Sequence, residues 1–86
     1  MKKVRVGVVG VGYLGKFHAE KYAGISEAEL VGVVDVNGER ASEIAALMRC
    51  RSYRDYHDLF GLVDAVSIAV PTPFHFEIAK EFLNHQ

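Results

Sequence analysis

The sequence predicts an α/β fold in which helices cover both faces of a parallel sheet. Apolar runs typical of strands alternate along the chain with segments whose apolar residues recur at helical spacing. The two clearest runs, 4–9 and 63–70, are almost wholly apolar, as in strands that are buried on both faces of a parallel sheet. Right-handed crossovers between consecutive parallel strands then give the strand order 3-2-1-4, a doubly wound arrangement.

The first half of the chain is predicted to form two strands and two helices. Strand 1 covers 3–9, and the helix that follows runs from 13 to about 25. Strand 2 covers 29–35, and a second helix covers about 39–49, with Asn37 as its N-cap. The face of the first helix that should pack on the sheet consists of Leu14, Phe17, His18, Tyr22 and Ile25. The buried stripe of the second helix consists of Ala41, Ile44, Ala45 and Met48.

The second half is predicted to form a short strand, one helical turn, a longer strand and a helix. Strand 3 is confined to 52–53, a helical turn covers 56–60, and strand 4 covers 63–70. Thr72 as N-cap and Pro73 at the first helical position mark the start of the last helix. The core face of that helix consists of Ile78, Ala79, Phe82 and Leu83.

The turn after strand 1 carries the pattern Gly10-x-Gly12-x-x-Gly15, and Asp35 follows at the end of strand 2. Gly10 permits the tight turn, Gly12 lets the backbone approach a pyrophosphate, and Gly15 lets the helix pack against the strand. The helix N-terminus offers unpaired N–H groups and the positive end of its dipole to phosphates. Asp35 would accept hydrogen bonds from the adenosine ribose. Together these features predict a Rossmann-like dinucleotide-binding unit.

A purely structural interpretation stands beside this one. Glycine-rich turns join strands to helices in many α/β proteins that bind no nucleotide, and an aspartate at a strand end can cap the next helix. Gly7, inside strand 1, is interpreted as permitting close packing. The crevice where the strand order reverses favours the ligand-binding interpretation, because the glycine turn and the corner at 70–73 both lie there.

Asp35 and Arg40 bear on the choice of cofactor. A carboxylate at position 35 would bond a ribose 2′-hydroxyl and repel a 2′-phosphate, which predicts NAD. Arg40 leaves NADP possible, because its guanidinium could reach a 2′-phosphate. The alternative for Arg40 is an exposed residue on the first turns of the second helix.

Composition excludes several classes of partner. The chain has 86 residues, half of them hydrophobic, and a net charge of -1, which gives no basic footprint for nucleic acid. No apolar run approaches the roughly 20 residues of a membrane span. Cys50 is the only cysteine, which excludes an internal disulfide and favours a reducing, cytoplasmic location. No spacing of histidine, cysteine or acidic residues indicates a metal site.

Three segments, 6–15, 30–35 and 63–75, resemble the N-terminal domain of the Gfo/Idh/MocA oxidoreductases. The third segment, an Asp-Ala-Val strand that ends in Pro71 and is followed by His75, is the most particular to that family. The resemblance covers essentially the whole chain. It implies a domain that binds NAD or NADP in an enzyme that oxidises or reduces sugars, cyclitols, nucleotide-sugars or related hydroxyl compounds.

The resemblance also implies where the cofactor lies. Pro71, Thr72 and His75 should line its ribose and nicotinamide side, although His75 could instead be a first-turn residue bonded to nearby backbone. The family's usual Thr-Pro-Asn is Val70-Pro71-Thr72 here, so one hydroxyl is missing from this corner. The residues predicted to bind the cofactor are Gly10, Gly12, Tyr13, Leu14, Gly15, Asp35, Val36, Arg40, Val70, Pro71, Thr72 and His75. The other histidines, His18, His57 and His85, are interpreted as a packing residue and two solvated residues.

The family's catalytic lysine, in a Glu-Lys-Pro motif after the fourth βα unit, has no counterpart in this sequence. We therefore expect residues 1–86 to be an N-terminal dinucleotide-binding domain, truncated before the later strands and the substrate domain and inactive by itself. The open edge of strand 4 should favour a homo-oligomer. Two alternatives are a non-catalytic NAD-binding sensor or regulatory module and a dehydrogenase of a different Rossmann family.

Overall fold

A computed structural model describes residues 3–70 and 72–84, apart from the side chains at positions 13, 14, 72 and 73. The elements in chain order are β1 (Val4–Val9), α1 (Tyr13–Ala23), β2 (Ala28–Val34), α2 (Gly38–Met48), β3 (Arg51–Tyr53), a 3₁₀ turn (Tyr56–Leu59), β4 (Ala65–Ile68) and α3 (Thr72–Asn84). Each predicted element is present, and most boundaries differ from the prediction by one or two residues. Within the described residues, no helix is both long and apolar enough to cross a membrane.

The four strands form one parallel sheet with the order β3-β2-β1-β4, which confirms the predicted topology. Neighbouring side chains of a strand point to opposite faces, and the core divides accordingly. Val8 packs with residues of α1 and α2 on one face, whereas Val9 packs with Leu59 and Ile78 on the other. A Cβ on Gly7 would lie 2.7 Å from the Leu59 side chain, so glycine permits the close packing that was predicted there.

The amino ends of β1 and β4 are joined by a reciprocal clamp. The Arg5 backbone and guanidinium N–H groups each donate to the Asp64 carboxylate at 2.9 Å, and Asp64 N–H donates to Arg5 C=O at 2.7 Å. This clamp fixes the register of the two strands. Their carboxyl ends are thereby held side by side at the opposite edge of the sheet.

The predicted packing faces of α1 and α3 are partly wrong. Phe17 is 52% exposed, and Ile25 is also exposed and lies beyond the end of α1. The small residues Gly15 and Ala19 face the sheet instead, because they allow the helix to approach it closely. Leu83 is 65% exposed because β4 is the last strand of the described sheet and offers nothing beyond it to cover this side chain.

Helix α2 begins as predicted, and β4 and α3 differ from the prediction. The Asn37 side chain accepts a hydrogen bond from Arg40 N–H at 3.1 Å, which confirms the N-cap. Strand β4 is shorter than the apolar run 63–70, since residues at both ends of that run leave the ladder. Thr72 is the first helical residue of α3, not its N-cap, and the preceding Pro71 lies outside the described residues.

Candidate functional site

The three glycines of the turn after β1 differ in what surrounds them. Gly10 has a φ of +89°, in the left-handed region that favours glycine, and its N–H donates to Val34 C=O at 2.7 Å. A Cβ on Gly15 would lie 1.7 Å from the Gly10 carbonyl oxygen, so only glycine fits where α1 meets the turn. Among the described atoms outside its two chain neighbours, none lies within 4 Å of a Cβ placed on Gly12, which leaves open space beside the backbone.

Gly12 is also the residue from which α1 begins. Its C=O accepts the first intrahelical bond, from Lys16 N–H at 2.9 Å. The N–H groups in the first turn of an α-helix have no intrahelical acceptor. The first turn of α1 also carries no acidic side chain. The helix dipole therefore presents its positive end to the open space beside Gly12, as a phosphate requires.

Asp35 and Arg40 hold the two peptide groups of Val11, in the middle of the glycine turn. The Asp35 carboxylate accepts from Val11 N–H at 3.0 Å and from Asn37 N–H at 2.9 Å. Arg40 Nε donates to Val11 C=O at 2.8 Å, and its Nη1 bonds Glu43 at 3.2 Å. Each carboxylate oxygen has a second lone pair, so Asp35 can still accept a hydrogen bond from a ribose hydroxyl.

The carboxyl ends of the strands surround a cleft of about 630 Å³. It is lined by Val9, Gly10, Gly12, Val34, Asp35, Val36, Arg54, Tyr56, Ala69, Val70, Phe74, Glu77 and Ile78. The structure thus brings together the glycine turn, Asp35, Val36 and Val70, which the sequence predicted for one crevice. The lining is mainly apolar and includes the charged residues Asp35, Arg54 and Glu77, which suits a base and a ribose.

Other predicted site residues are placed differently. His75 lies in a second groove of about 660 Å³, between α3 and the free edge of β4. Arg40 is 32% exposed in its side chain and is directed to the glycine turn, so it matches neither predicted alternative fully. Tyr13 and Leu14 begin α1, and Thr72 begins α3. Pro71 lies outside the described residues.

Eight residues of the cleft were not predicted as site residues, namely Val9, Val34, Arg54, Tyr56, Ala69, Phe74, Glu77 and Ile78. Arg54 directly follows β3, whose carboxyl end lies at the same edge of a parallel sheet as those of β1 and β2. This position directly after a strand was the signal from which a site role for Arg54 could have been predicted, although none was predicted. The Arg54 Nε lies 2.9 Å from the position of a Cβ on Gly38, where α2 begins.

His57 is exposed to solvent, as predicted, and it also belongs to a side-chain cluster next to the cleft. His57 Nδ1 lies 2.5 Å from the Asp55 carboxylate, and its Nε2 lies 2.8 Å from the Glu81 carboxylate on α3. Tyr56 donates its hydroxyl hydrogen to Glu81 as well. Both imidazole nitrogens can donate only when the ring is protonated. When His57 is protonated, the cluster therefore joins the 3₁₀ turn to α3 through both ring nitrogens.

The cluster shifts the pKa values of its members. The hydrogen bond to Asp55 raises the pKa of His57, and the His57 N–H lowers the pKa of Asp55. The Glu81 carboxylate raises the pKa of Tyr56 to about 12.

Within the described residues, no group of three histidine, cysteine or acidic side chains is arranged to hold a metal ion.

Replacing His57 by glutamine is expected to lower the thermal unfolding midpoint by a few degrees at most, since the side chain is 48% exposed. Because the pKa of His57 is raised in the folded state, its interactions stabilise the fold fully below its ordinary pKa of about 6.5. This stabilisation is lost as pH rises through the raised value. Asp55 contributes above its ordinary pKa of about 3.9, and its contribution is lost as pH falls through the lowered value. The difference from wild type should be largest between about pH 4 and 6.5. Circular dichroism melts across pH check this, and an equal difference at pH 5 and pH 9 would contradict it.

Comparison with known proteins identifies the family. Residues 4–86 match the Gfo/Idh/MocA family model, whose description is an oxidoreductase family with an NAD-binding Rossmann fold. The chain belongs to the Gfo/Idh/MocA family. It is the NAD-binding Rossmann domain of that family, which confirms the predicted resemblance, fold and cofactor. A different Rossmann family, one of the alternatives, is wrong.

Relatives in this family are named as dehydrogenases, which gives no support to the alternative of a sensor. The UDP-N-acetylglucosamine 3-dehydrogenase of Acidithiobacillus ferrooxidans is 54% identical over 80 residues, which are 93% of this chain and 25% of the relative. The inositol 2-dehydrogenase of Rubrobacter xylanophilus is 35% identical over 88 residues, covering 99% of this chain and 25% of the relative. The chain thus spans about a quarter of the length of these Gfo/Idh/MocA relatives.

Solved structures of the family superimpose closely on this chain. The structure of the UDP-N-acetylglucosamine 3-dehydrogenase from A. ferrooxidans gives a TM-score of 0.91 at 49% identity, covering 99% of this chain and 28% of the other. A scyllo-inositol dehydrogenase from Lactobacillus casei, solved with NAD(H) and scyllo-inositol bound, gives 0.89 at 30% identity, covering 98% of this chain and 26% of the other.

Proposed function

We propose that the whole protein transfers hydride between NAD and a hydroxyl or ketone of a sugar, cyclitol or nucleotide-sugar, and that residues 1–86 bind the cofactor. The observation that carries this proposal is the single cleft in which the open backbone at Gly12 and the Asp35 carboxylate meet. The dehydrogenase names of the relatives support the reaction class.

The residues of the cleft fit the parts of NAD. The amides at the start of α1 would bind the pyrophosphate, because Gly12 leaves that space open. Asp35 would accept hydrogen bonds from the adenosine ribose, and Val36 and Val70 would contact apolar parts of the cofactor. NAD supplies the hydride acceptor when it is bound.

No catalytic residue is assigned in this chain. None of the lysines that the structure describes lines the cleft, so none is placed to move a hydroxyl proton there. We propose that the groups for proton transfer and substrate recognition belong to other parts of the protein. The nucleotide-sugar class is the first substrate class to test, because the UDP-N-acetylglucosamine 3-dehydrogenase shares 54% identity with this chain. NADH formation by the whole protein with UDP-N-acetylglucosamine, compared with myo-inositol, would show which class it accepts.

The preference for NAD is tested by changing the ligand, because Asp35 also holds two backbone N–H groups and its substitution would disturb the turn. Calorimetry should show NAD binding more tightly than NADP. ADP should bind about five- to tenfold more tightly than 2′-deoxy-ADP, since one hydrogen bond to Asp35 is lost. Tighter binding of NADP, or equal binding of the two diphosphates, would contradict the assignment of Asp35 to the ribose.

We also propose that the chain forms a homo-oligomer through the free edge of β4. The groove beside this edge is lined by Phe82 and Leu83 and by the strand 65–68. A strand at the edge of the described sheet, with apolar neighbours, favours pairing with another copy. Sedimentation velocity should show a species larger than the monomer that grows with concentration, and a monomer throughout would refute the proposal.

A further inference from the structure

We propose that Arg40 is a positioning residue that fixes the glycine turn, and that this role makes the site discriminate against NADP. The inference rests on the proposed binding of NAD in the cleft. It assigns Arg40 a function that differs from holding a 2′-phosphate and from lying free on the surface. The geometry around Val11 carries the argument.

Val11 is fully buried, and both of its peptide groups are held by side chains from beyond β2. Asp35 accepts from the N–H at 3.0 Å, and Arg40 Nε donates to the C=O at 2.8 Å. A buried carbonyl without a partner is costly, so the guanidinium stabilises this conformation of the turn. The neighbouring Gly12 is therefore preorganised to present its backbone to the pyrophosphate.

Other contacts hold the Arg40 side chain in this position. Glu43, one turn along α2, bonds Nη1 at 3.2 Å, while Nε remains on Val11. The Asn37 cap fixes the Arg40 backbone at the start of the helix, at 3.1 Å. The guanidinium thus has carboxylate and carbonyl partners before any cofactor arrives.

A 2′-phosphate would compete for this guanidinium. With Asp35 assigned to the ribose, the 2′-position would lie next to Asp35, and the Asp35 and Arg40 side chains bond to the two adjacent peptide groups of Val11. A phosphate there would attract the arginine through charge-assisted hydrogen bonds. Forming them would take Nε away from Val11 C=O and release the turn that holds the pyrophosphate. NADP would therefore gain binding free energy at the ribose and lose it at the turn. NAD, by contrast, leaves the hydrogen bond from Arg40 to Val11 C=O intact.

The test is the ratio of NAD to NADP affinity in Arg40→Met, measured by calorimetry. We expect NAD affinity to fall about tenfold and NADP affinity to fall less, so the preference for NAD narrows. Arg49→Met removes the same charge at the other end of α2 and should leave both affinities unchanged. A larger loss for NADP would make Arg40 a phosphate ligand, and no loss for either would make it a surface residue. Both results overturn the proposal.

A measurement on the wild-type protein covers the case in which Arg40→Met does not fold. The hydrogen bond from Arg40 Nε–H to Val11 C=O, followed by NMR through the scalar coupling between Arg40 Nε and the Val11 carbonyl carbon, should persist with NAD bound and be lost with NADP bound. Equal coupling with both cofactors overturns the inference. Failure of the wild type to bind NAD at all would instead refute the proposed function.

Discussion

Replacing Gly15 by alanine is expected to destabilise the fold by more than about 4 kcal/mol, which is most of the stability of a domain of this size. The new Cβ would lie 1.7 Å from the Gly10 carbonyl oxygen. That oxygen belongs to backbone whose N–H is bonded to Val34 in β2 at 2.7 Å, so it cannot easily move away. Urea unfolding followed by circular dichroism would measure the loss.

Gly24→Ala is the matched control for Gly15→Ala, because Gly24 caps the other end of α1. A Cβ there would meet its nearest atoms at 3.7 Å, an ordinary contact, and the backbone φ is −92°. We expect its free energy of unfolding to stay within about 1 kcal/mol of wild type. If both alanine variants unfolded at the same urea concentration, the tight approach of α1 to the turn would be refuted.

Replacing Gly12 by alanine is expected to leave the fold intact and to weaken NAD binding by about a hundredfold or more. Apart from its chain neighbours, no residue that the structure describes has an atom within 4 Å of the new methyl group, and a φ of −66° is suitable for alanine. Stability should therefore change by no more than about 0.5 kcal/mol. The methyl group would, however, occupy the space through which a pyrophosphate approaches the backbone amides. Calorimetric titration with NAD measures the effect.

The same titration contains the result that would contradict the expectation. If Gly12→Ala bound NAD like the wild type, the pyrophosphate would not lie beside Gly12. Thermal melts of the same sample provide the control, since an unfolded variant would also fail to bind. Gly12 is thus expected to matter for NAD binding and Gly15 for the stability of the fold, although both belong to the same sequence pattern.

Local signals in the sequence were sufficient for most of the fold. The alternation of strands and helices, with right-handed crossovers, predicted the sheet order that the structure shows. The Asn37 cap was predicted correctly because a cap involves residues three positions apart. Helix faces were predicted less well, since apolar periodicity placed Phe17 against the sheet and missed Ala19, whereas the close packing of Gly15 was predicted from the glycine pattern.

The candidate site shows the same division. The glycine spacing and Asp35 were readable because their positions are fixed by strand ends that meet at one sheet edge. The direction of the Arg40 side chain was not readable, because it depends on a carbonyl 29 positions earlier in the chain. The Glu81 partner of His57 was hidden for the same reason, since Glu81 lies on a different element.

The sequence by itself determined the order of the elements, the glycine turn and the acid at the end of β2, because these follow from local conformation and from the rules that connect strands. Only the tertiary structure decided which face of α1 packs on the sheet and where the long side chains of Arg40 and Arg54 are directed. Long flexible side chains select partners by distance in space, and that distance exists only after the strands have paired.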